Sequence, residues 1–388
     1  MELFFWISIA VILYTYLGYG LLLFVLLKFK SLLLGKKQIP AIGYTPSVTV
    51  VVAAYNEAYC IEEKILNTLA LNYPQEKIKF VFITDGSTDE TPSIIAKYPQ
   101  ILGMHEPGRS GKIAAVHRAM GKVDTEIVVF TDANTMLNKD AILLMCRHYQ
   151  DQKVGAIAGE KRVQIDDNAD ATAGEGFYWK YESKLKKWDS ELYSVVGAAG
   201  ELFSIRTNLY QPVEPDTILD DFMISMNIAL KGFKIVYEPD AYATELASAN
   251  TGEELKRKIR IAAGGVQSTI RLRALLLPFK QPVLSFEYIS HRILRWVVTP
   301  YLMILAFIVN IVLVGSLGYM NIYGLMLLGQ LFFYTAALLG WVMEQKQLKV
   351  KLFFIPYYFC LMNYAVIAGF ARYFFGEQSV LWEKAKRK

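Results

Sequence analysis

Long uncharged stretches at both ends of the chain restrict its fold more than any other feature. Leu3–Leu27 carries no charged residue and exceeds the roughly 20 apolar residues needed to cross a bilayer. Val297–Tyr319, Ile322–Met343 and Phe353–Phe375 repeat the pattern late in the chain, with Arg372 the clearest charge in them. A hydrophobic content of 54% and a mean hydropathy of +0.27 exclude a purely soluble chain. Between the first stretch and the late ones lies a polar, mixed-pattern region of one domain's size.

The first stretch follows Met1-Glu2, lacks a basic leader and shows no small-x-small cleavage site. It therefore reads as an anchor, not a signal peptide. Lys28, Lys30, Lys36 and Lys37 come directly after it, which places the next segment in the cytosol by the positive-inside rule. Four spans then put the amino terminus and the Gly318–Asn321 turn outside, and Pro40–Ile289, Lys346, Lys349 and Lys351 inside. The same count carries the basic tail Glu383–Lys388 outside, against the rule. The net charge of +5 clusters beside apolar stretches, so it fits membrane orientation and no nucleic-acid partner is expected. Cys60, Cys146 and Cys360 are far apart in sequence, a spacing that predicts neither a disulfide framework nor a zinc site.

In the middle region, Ser47–Ala54 is a β-branched run of the kind a buried parallel strand requires. A helical stretch to Leu71 follows, then a strand over Lys77–Thr84. Ser87 and Glu90 have the spacing of a capping box opening a helix to Tyr98. A short strand over Ile101–His105 and a helix to Met120 lead to Glu126–Thr135, whose apolar core Ile127–Phe130 reads as a central strand. A helix over Lys139–Gln150 and a strand near Val154–Gly159 complete the alternation, which predicts a parallel α/β sheet. Gly174–Leu192 is helical in spacing, and Val195–Ile205 surrounds Gly197 and Gly200 with small residues, as where a backbone approaches something closely. Leu219-Asp220-Asp221-Phe222 opens a helix to Leu230, and Lys256–Arg273 is a basic amphipathic stretch suited to a membrane interface.

Chemistry enters with the acids. Asp85, Asp132 and Asp221 each end a strand or open a helix, and in open parallel sheets the crevice beyond the carboxyl ends of the strands takes the ligand. Carboxylates beside a nucleotide diphosphate require a divalent cation between them, and Mg2+ or Mn2+ favours oxygen ligands. Lys112, beside a Gly-x-x-Gly turn, can neutralise a phosphate or be an ordinary solvated lysine at a helix start. Asp221 can take a proton from an acceptor hydroxyl, or it and Asp220 can simply complement a helix dipole.

The ordered set Tyr55-Asn56-Glu57, Asp85-Gly86-Ser87-Thr88-Asp89, Lys112, Asp132-Ala133-Asn134, Gly197–Gly200 and Asp220-Asp221 resembles family 2 glycosyltransferases with the A-type nucleotide-sugar fold. It is most similar to the membrane-bound branch that includes hyaluronan, cellulose, chitin and poly-N-acetylglucosamine synthases. The likeness runs from Pro46 to about Arg273, and the late spans match in placement. It implies a Rossmann-like, mostly parallel α/β domain with transmembrane helices. It also implies that Ala54, Tyr55, Glu57 and Asp85 hold the nucleoside and that Lys112 and Arg260 lie near it or the phosphates. Asp132 and Asn134 then occupy the Mg2+ or Mn2+ motif, Asp221 is the base with Asp220 beside it, and Gly200, Glu201, Arg257 and Gln267 line the acceptor side. Two positions depart from the pattern. Asn134 stands where the metal motif usually ends in Asp, and Arg257-Lys258-Ile259-Arg260-Ile261 stands where the synthases carry Gln-x-x-Arg-Trp. Sugar transfer is thus implied more directly than processive polymerisation.

The expected organisation is an anchor over 1–30, a cytosolic transferase domain over 40–255 and an interfacial segment over 256–295. Three spans over 296–376 and a basic tail over 377–388 follow. The expected activity is inverting, metal-dependent transfer from a nucleotide sugar, UDP-linked by resemblance, to a glycan or lipid-linked acceptor at a bacterial plasma membrane. The competing readings are a transferase adding a single sugar, a transporter with a nucleotide-binding domain, and a binding protein without catalysis. Against the transporter stand the nearly uncharged late spans and the lack of a Gly-x-x-x-x-Gly-Lys-Ser/Thr loop.

Overall fold

The computed structural model describes residues 1–35, 39–164, 173–246, 251–346, 348 and 350–376, with the backbone alone for 173–179. Lys36, Lys37, Lys349 and the tail Glu383–Lys388 lie outside the described residues. In chain order the elements are helix α1 (Glu2–Leu34) and strand β1 (Val48–Ala54), then α2 (Ile61–Leu69), β2 (Ile78–Asp85), α3 (Thr91–Ile95) and β3 (Leu102–Glu106). Next come α4 (Lys112–Met120), β4 (Ile127–Asp132), β5 (Thr135–Leu137), α5 (Ala141–Cys146), β6 (Val154–Gln164) and α6 (Ala173–Leu192). The chain continues through β7 (Leu202–Arg206), α7 (Asp220–Leu230), β8 (Lys234–Leu246), α8 (Thr251–Arg271), α9 (Pro282–Leu317), α10 (Ile322–Gln345) and α11 (Lys351–Phe375). It folds into two compact units. One comprises Phe29–Gln164 and Lys186–Ala249, the other Met1–Lys28, Ile165–Leu185 and Asn250–Glu377.

The first unit is built on an eight-stranded sheet in the order β3-β2-β1-β4-β7-β6-β8-β5. β1 is central because its sequence allows nothing else: all seven of its residues are buried, and such a β-branched run needs cover on both faces. It pairs in parallel with β2 on one side and β4 on the other. Successive strands β1, β2 and β3 step one way and β4 is added on the far side of β1, so the switch point lies between β1 and β4. Ligand crevices open at the carboxyl ends of strands at such a point. Ala53 faces Asp132 across that pair. α2 lays Ile61 and Ile65 into the core beneath, and Ile142 and Met145 of α5 join the same core.

Three features differ from the expected sheet. β7 runs antiparallel to both β4 and β6, and β5 runs antiparallel to β8, so the sheet is mixed. β8 is a long strand that the sequence did not announce, because Glu238, Pro239 and Asp240 interrupt its apolar pattern. The expected capping box does not form. α3 begins only at Thr91, whose N–H donates to Asp89 Oδ1 at 3.0 Å, while Ser87 Oγ accepts from the Asn56 N–H at 3.1 Å.

The second unit holds the four helices that are long and apolar enough to cross a membrane: α1, α9, α10 and α11. α9 starts at Pro282, 15 residues before the expected span, and its 36 residues extend about 54 Å at about 1.5 Å each. That exceeds a hydrocarbon core of about 30 Å. The stretch 256–295 is consequently not one element, since α8 ends at Arg271 and α9 takes over at Pro282. The early part of α9 also carries His291, Arg292 and Arg295, which converge on Glu182 of α6 at 3.2, 3.1 and 2.6 Å. Buried ions persist where partners satisfy them, and these sit outside the uncharged half that suffices to span. Small residues allow close helix contact: a Cβ on Gly369 of α11 would meet Ala262 Cβ of α8 at 2.5 Å.

Candidate active site

Four loops at the carboxyl ends of the central strands build the site within the α/β unit. The loop after β1 contains Asn56, the one non-glycine residue with positive φ (+52°) among those described. Its amide Oδ1 accepts from the Thr88 N–H at 2.8 Å, the Ala58 N–H donates to Asp89 Oδ2 at 3.0 Å, and the Glu57 N–H donates to Thr91 Oγ1 at 2.8 Å. These bonds lace the loops after β1 and β2 together. Ala54 and Glu57 are buried, and Tyr55 lies half-buried beneath Arg109, whose guanidinium carbon stands 4.0 Å from the ring centre. Asp85 is engaged by the chain itself. Oδ2 accepts from the N–H groups of Ser110 and Gly111 at 2.8 and 2.6 Å, and Oδ1 accepts from Arg118 at 2.8 Å. It thereby fixes the glycine-rich turn that launches α4.

That turn aims the first residue of α4 across the switch point. Lys112 Nζ donates to Asp132 Oδ1 at 2.7 Å and stands 3.9 Å from Asp220 Oδ2. Burial alone would lower the lysine's pKa, but the carboxylates of Asp132, Asp220 and Asp221 outweigh it and raise the value. Asp221 is driven the other way. Burial, then the neighbouring Asp220 charge, push its carboxyl up to about 7. Oδ1 accepts from the Phe222 N–H at 2.8 Å, at the first turn of α7.

The remaining wall comes from the loop before β7. Because β7 runs antiparallel to β4, Leu202 lies opposite Thr131 and the loop arrives beside Asp132. Gly197 has a φ of +83°, and a Cβ there would run into the Phe222 ring. A Cβ on Gly200 would lie 3.2 Å from Asp221 Oδ2 and 3.4 Å from Lys112 Nζ. Here are the close approaches that the small-residue run implied. Ser225 of α7 fastens the loop by accepting from the Ala198 N–H at 2.9 Å. The Glu201 carboxylate is ion-paired to Lys161 at 2.6 Å, and Lys161 also pairs with Glu245.

Lys112, Asp132, Asp220, Asp221, Gly200 and Glu201 are therefore brought together, with Ala54, Tyr55, Glu57 and Asp85 on the adjoining loops. Arg257, Arg260 and Gln267 lie on α8 in the helical unit, where Arg257 is engaged with Glu254 at 3.1 Å and Gln267 is buried. Sequence reasoning gave no role to Arg118, nor to Arg109 over Tyr55. Their signal was position, since Arg109 is part of the Gly-Arg-Ser-Gly-Lys turn and Arg118 lies on the helix that the turn opens. Lys64 and Thr131, which lie beneath Asp132, gave no signal at all.

An oxygen-seeking divalent cation fits this donor set. Asp132 and Asn134 offer oxygens from one turn, and Asp132 keeps 18% of its side chain exposed. Among the described residues no cluster of three or more His, Cys, Asp or Glu could hold a metal ion. The protein would then supply few of the six or so ligands and phosphate oxygens the rest, the usual arrangement for Mg2+.

The sheet order, the antiparallel β7 and the acid-lined switch point define a nucleotide-sugar transferase fold of the A type. A mannosyltransferase, PcManGT, from Pyrobaculum calidifontis, solved in complex with GDP-Man and Mn2+, shares this fold. The two superpose with a TM-score of 0.73 at 23% identity, over 97% of this chain and all of that one. Residues 49–212 match the model of the family described as glycosyl transferase family 2. It is 28% identical over 248 residues to a poly-beta-1,6-N-acetyl-D-glucosamine synthase of Staphylococcus aureus (strain COL), covering 61% of this chain and 59% of that protein. The Staphylococcus epidermidis synthase is 27% identical over 282 residues, 68% of this chain and 66% of its own length. The matched part thus spans about three fifths to two thirds of these curated relatives.

Proposed function

We propose that this chain is an inverting, cation-dependent glycosyltransferase that moves a sugar from a UDP-linked donor to a glycan or lipid-linked acceptor at a bacterial plasma membrane. The observation that carries the reading is the convergence of Lys112, Asp132, Asp220 and Asp221 around the backbone of Gly200, at the switch point of the sheet. Similarity to the staphylococcal poly-beta-1,6-N-acetyl-D-glucosamine synthases supports a glycan as product. Lys28 and Lys30 near the carboxyl end of α1, and the cytosolic supply of nucleotide sugars, support a cytosolic α/β unit.

In this reading the acceptor hydroxyl attacks the anomeric carbon as Asp221 takes its proton. The bond from that carbon to the diphosphate oxygen breaks, and the nucleoside diphosphate leaves with the electron pair. A base with a pKa near 7 is half ionised at neutral pH, close to the optimum for such work. Asp220 raises the pKa of Asp221 by its charge, and Lys112 places a positive charge where the leaving diphosphate gains a negative one. Mg2+ or Mn2+ on Asp132 and Asn134 would supply further counter-charge to the diphosphate. Tyr55 beneath Arg109 offers a flat face to the base, with Ala54 and Glu57 at its edge. Gly200 leaves room for the sugar, and Glu201, Arg257, Arg260 and Gln267 are assigned to the acceptor and diphosphate side.

The test is product analysis with the purified full chain, supplied with a panel of UDP- and GDP-linked sugars and membrane lipid. Transfer or nucleotide release from at least one donor is expected. Neither from any donor, with nucleotide still bound, would favour a binding protein without catalysis.

A further inference from the structure

A lysine lies where the core should be apolar. Lys64 sits on α2 between Ile61 and Ile65, with its side chain fully enclosed. Its ammonium donates to Thr131 Oγ1 at 2.9 Å and to the Thr135 carbonyl at 2.7 Å. Those two oxygens bracket Asp132, Ala133 and Asn134. Among the described residues no carboxylate hydrogen-bonds to Lys64. Asp132 is the charge that most favours its ionised form, against a burial that lowers its pKa to about 7. A buried ammonium held by two neutral oxygens is costly, and apolar packing alone would be served by methionine.

The neighbours of Lys64 on α2 act on the same turn. Cys60, Lys64 and Asn67, spaced i, i+4 and i+7, share one helix face. Cys60 Sγ lies 3.8 Å from the Ala133 carbonyl. Asn67 closes a two-bond pair with Leu137, donating to its carbonyl and accepting from its N–H, both at 2.9 Å. Within the turn, Thr131 Oγ1 donates to the Glu201 carbonyl at 2.9 Å and Thr135 Oγ1 to the Asp132 carbonyl at 3.0 Å. Lys64 therefore sits at the base of a hydrogen-bonded knot that joins the turn after β4 to the loop before β7.

We propose that Lys64 is a positioning residue for the cation and diphosphate: it grips both ends of the Asp132–Asn134 turn. This rests on the cation-dependent reading above. Ligands held by a rigid supporting shell bind metal more tightly than the same ligands on a loose turn.

The test uses the full chain in detergent and measures free Mn2+ by electron paramagnetic resonance, with UDP and with GDP. Lys64→Met should fold and bind UDP without metal as the native chain does, yet lose about 10- to 100-fold in Mn2+ affinity, the usual effect of removing a group that orients metal ligands. Thr131→Val, which leaves Lys64 in place, should shift the affinity the same way. A folded Lys64→Met protein with native Mn2+ affinity overturns the proposal. If that variant does not fold, Thr131→Val decides by the same measure. If the native chain itself takes up no Mn2+ with either nucleotide, the cation reading fails. Positioning is then judged by amide hydrogen exchange: faster exchange over 131–135 in Lys64→Met, with β1 unchanged, supports it, and unchanged exchange overturns it.

Discussion

Replacing Asp221 by Asn should make the protein more stable and nearly inactive, because one carboxylate governs both properties. The amide keeps an oxygen for the Phe222 N–H, which Asp221 Oδ1 accepts at 2.8 Å, but it cannot take a proton. Loss of a positioned base costs about 10²–10⁴ in rate, and kcat should fall by that amount while donor binding persists. The stability gain follows from the raised pKa. A carboxyl moved from 3.8 to about 7 has its charged form disfavoured in the folded protein, by at most about 4 kcal/mol at about 1.36 kcal/mol per pH unit. Local relaxation and water entry reduce that to a gain of roughly 1–2 kcal/mol, or a few degrees in Tm. The sign depends on pH. The folded protein keeps a proton that the unfolded chain has released, so native stability falls as pH rises from about 4 to about 7. The Asn variant should lack that dependence and gain most above pH 7. Thermal unfolding followed by tryptophan fluorescence, at pH 5 and pH 8, measures the effect, with turnover of a nucleotide sugar alongside. Near-native turnover would refute the assignment of the base, and equal Tm gains at both pH values would refute the electrostatic account.

Asp132→Ala should abolish transfer at any Mn2+ or Mg2+ concentration, whereas Asn134→Asp should keep activity and lower the concentration of cation required; full native activity in excess chelator would contradict both. Gly197→Ala should destabilise the α/β unit by roughly 1–3 kcal/mol, as overpacking does, because its Cβ meets the Phe222 ring at a positive φ; a Tm drop of several degrees in a thermal melt checks it. Tyr319, 75% exposed in the α9–α10 turn, should react as Tyr319→Cys with an impermeant thiol reagent in intact cells, while Lys153→Cys in the α/β unit should stay protected. Labelling of the second alone would reverse the assigned orientation.

Half of the sheet was legible because its code is local. β1, β2 and β4 are continuous apolar runs ending in polar groups, and the four spans are long and nearly uncharged. Asp132 and Asp221 were visible because each stands at the edge of such a run. What escaped depends on partners distant in sequence. β8 carries Glu238 and Asp240 inside a strand, and Glu238 is tolerated only because Arg147 and His148 meet it at 2.5 and 2.7 Å. Asp85 read as a ligand contact, and only the fold shows that Oδ2 also accepts from the loop before α4 and Oδ1 from Arg118 within that helix. Ser87 and Glu90 had the spacing of a cap, yet the neighbouring β1 loop claims Ser87. Lys64 is invisible for the same reason, since a lysine in an amphipathic helix ordinarily points to water.

The reversed direction of β7 has a consequence for how such a chain can diversify. On the proposed reading, the turns assigned to the donor lie between residues 54 and 135, on strands that run one way, while the segment assigned to the acceptor is the loop at 197–201, which leads into a strand that runs the other. The two sets meet across a single strand pair, Thr131 with Leu202, yet lie more than 60 residues apart in sequence. Insertions or exchanges ahead of β7 can therefore reshape what receives the sugar without shifting the register of the strands that cradle the nucleotide. On that reading a new acceptor can be reached by editing one stretch of chain, with the donor-side turns inherited intact.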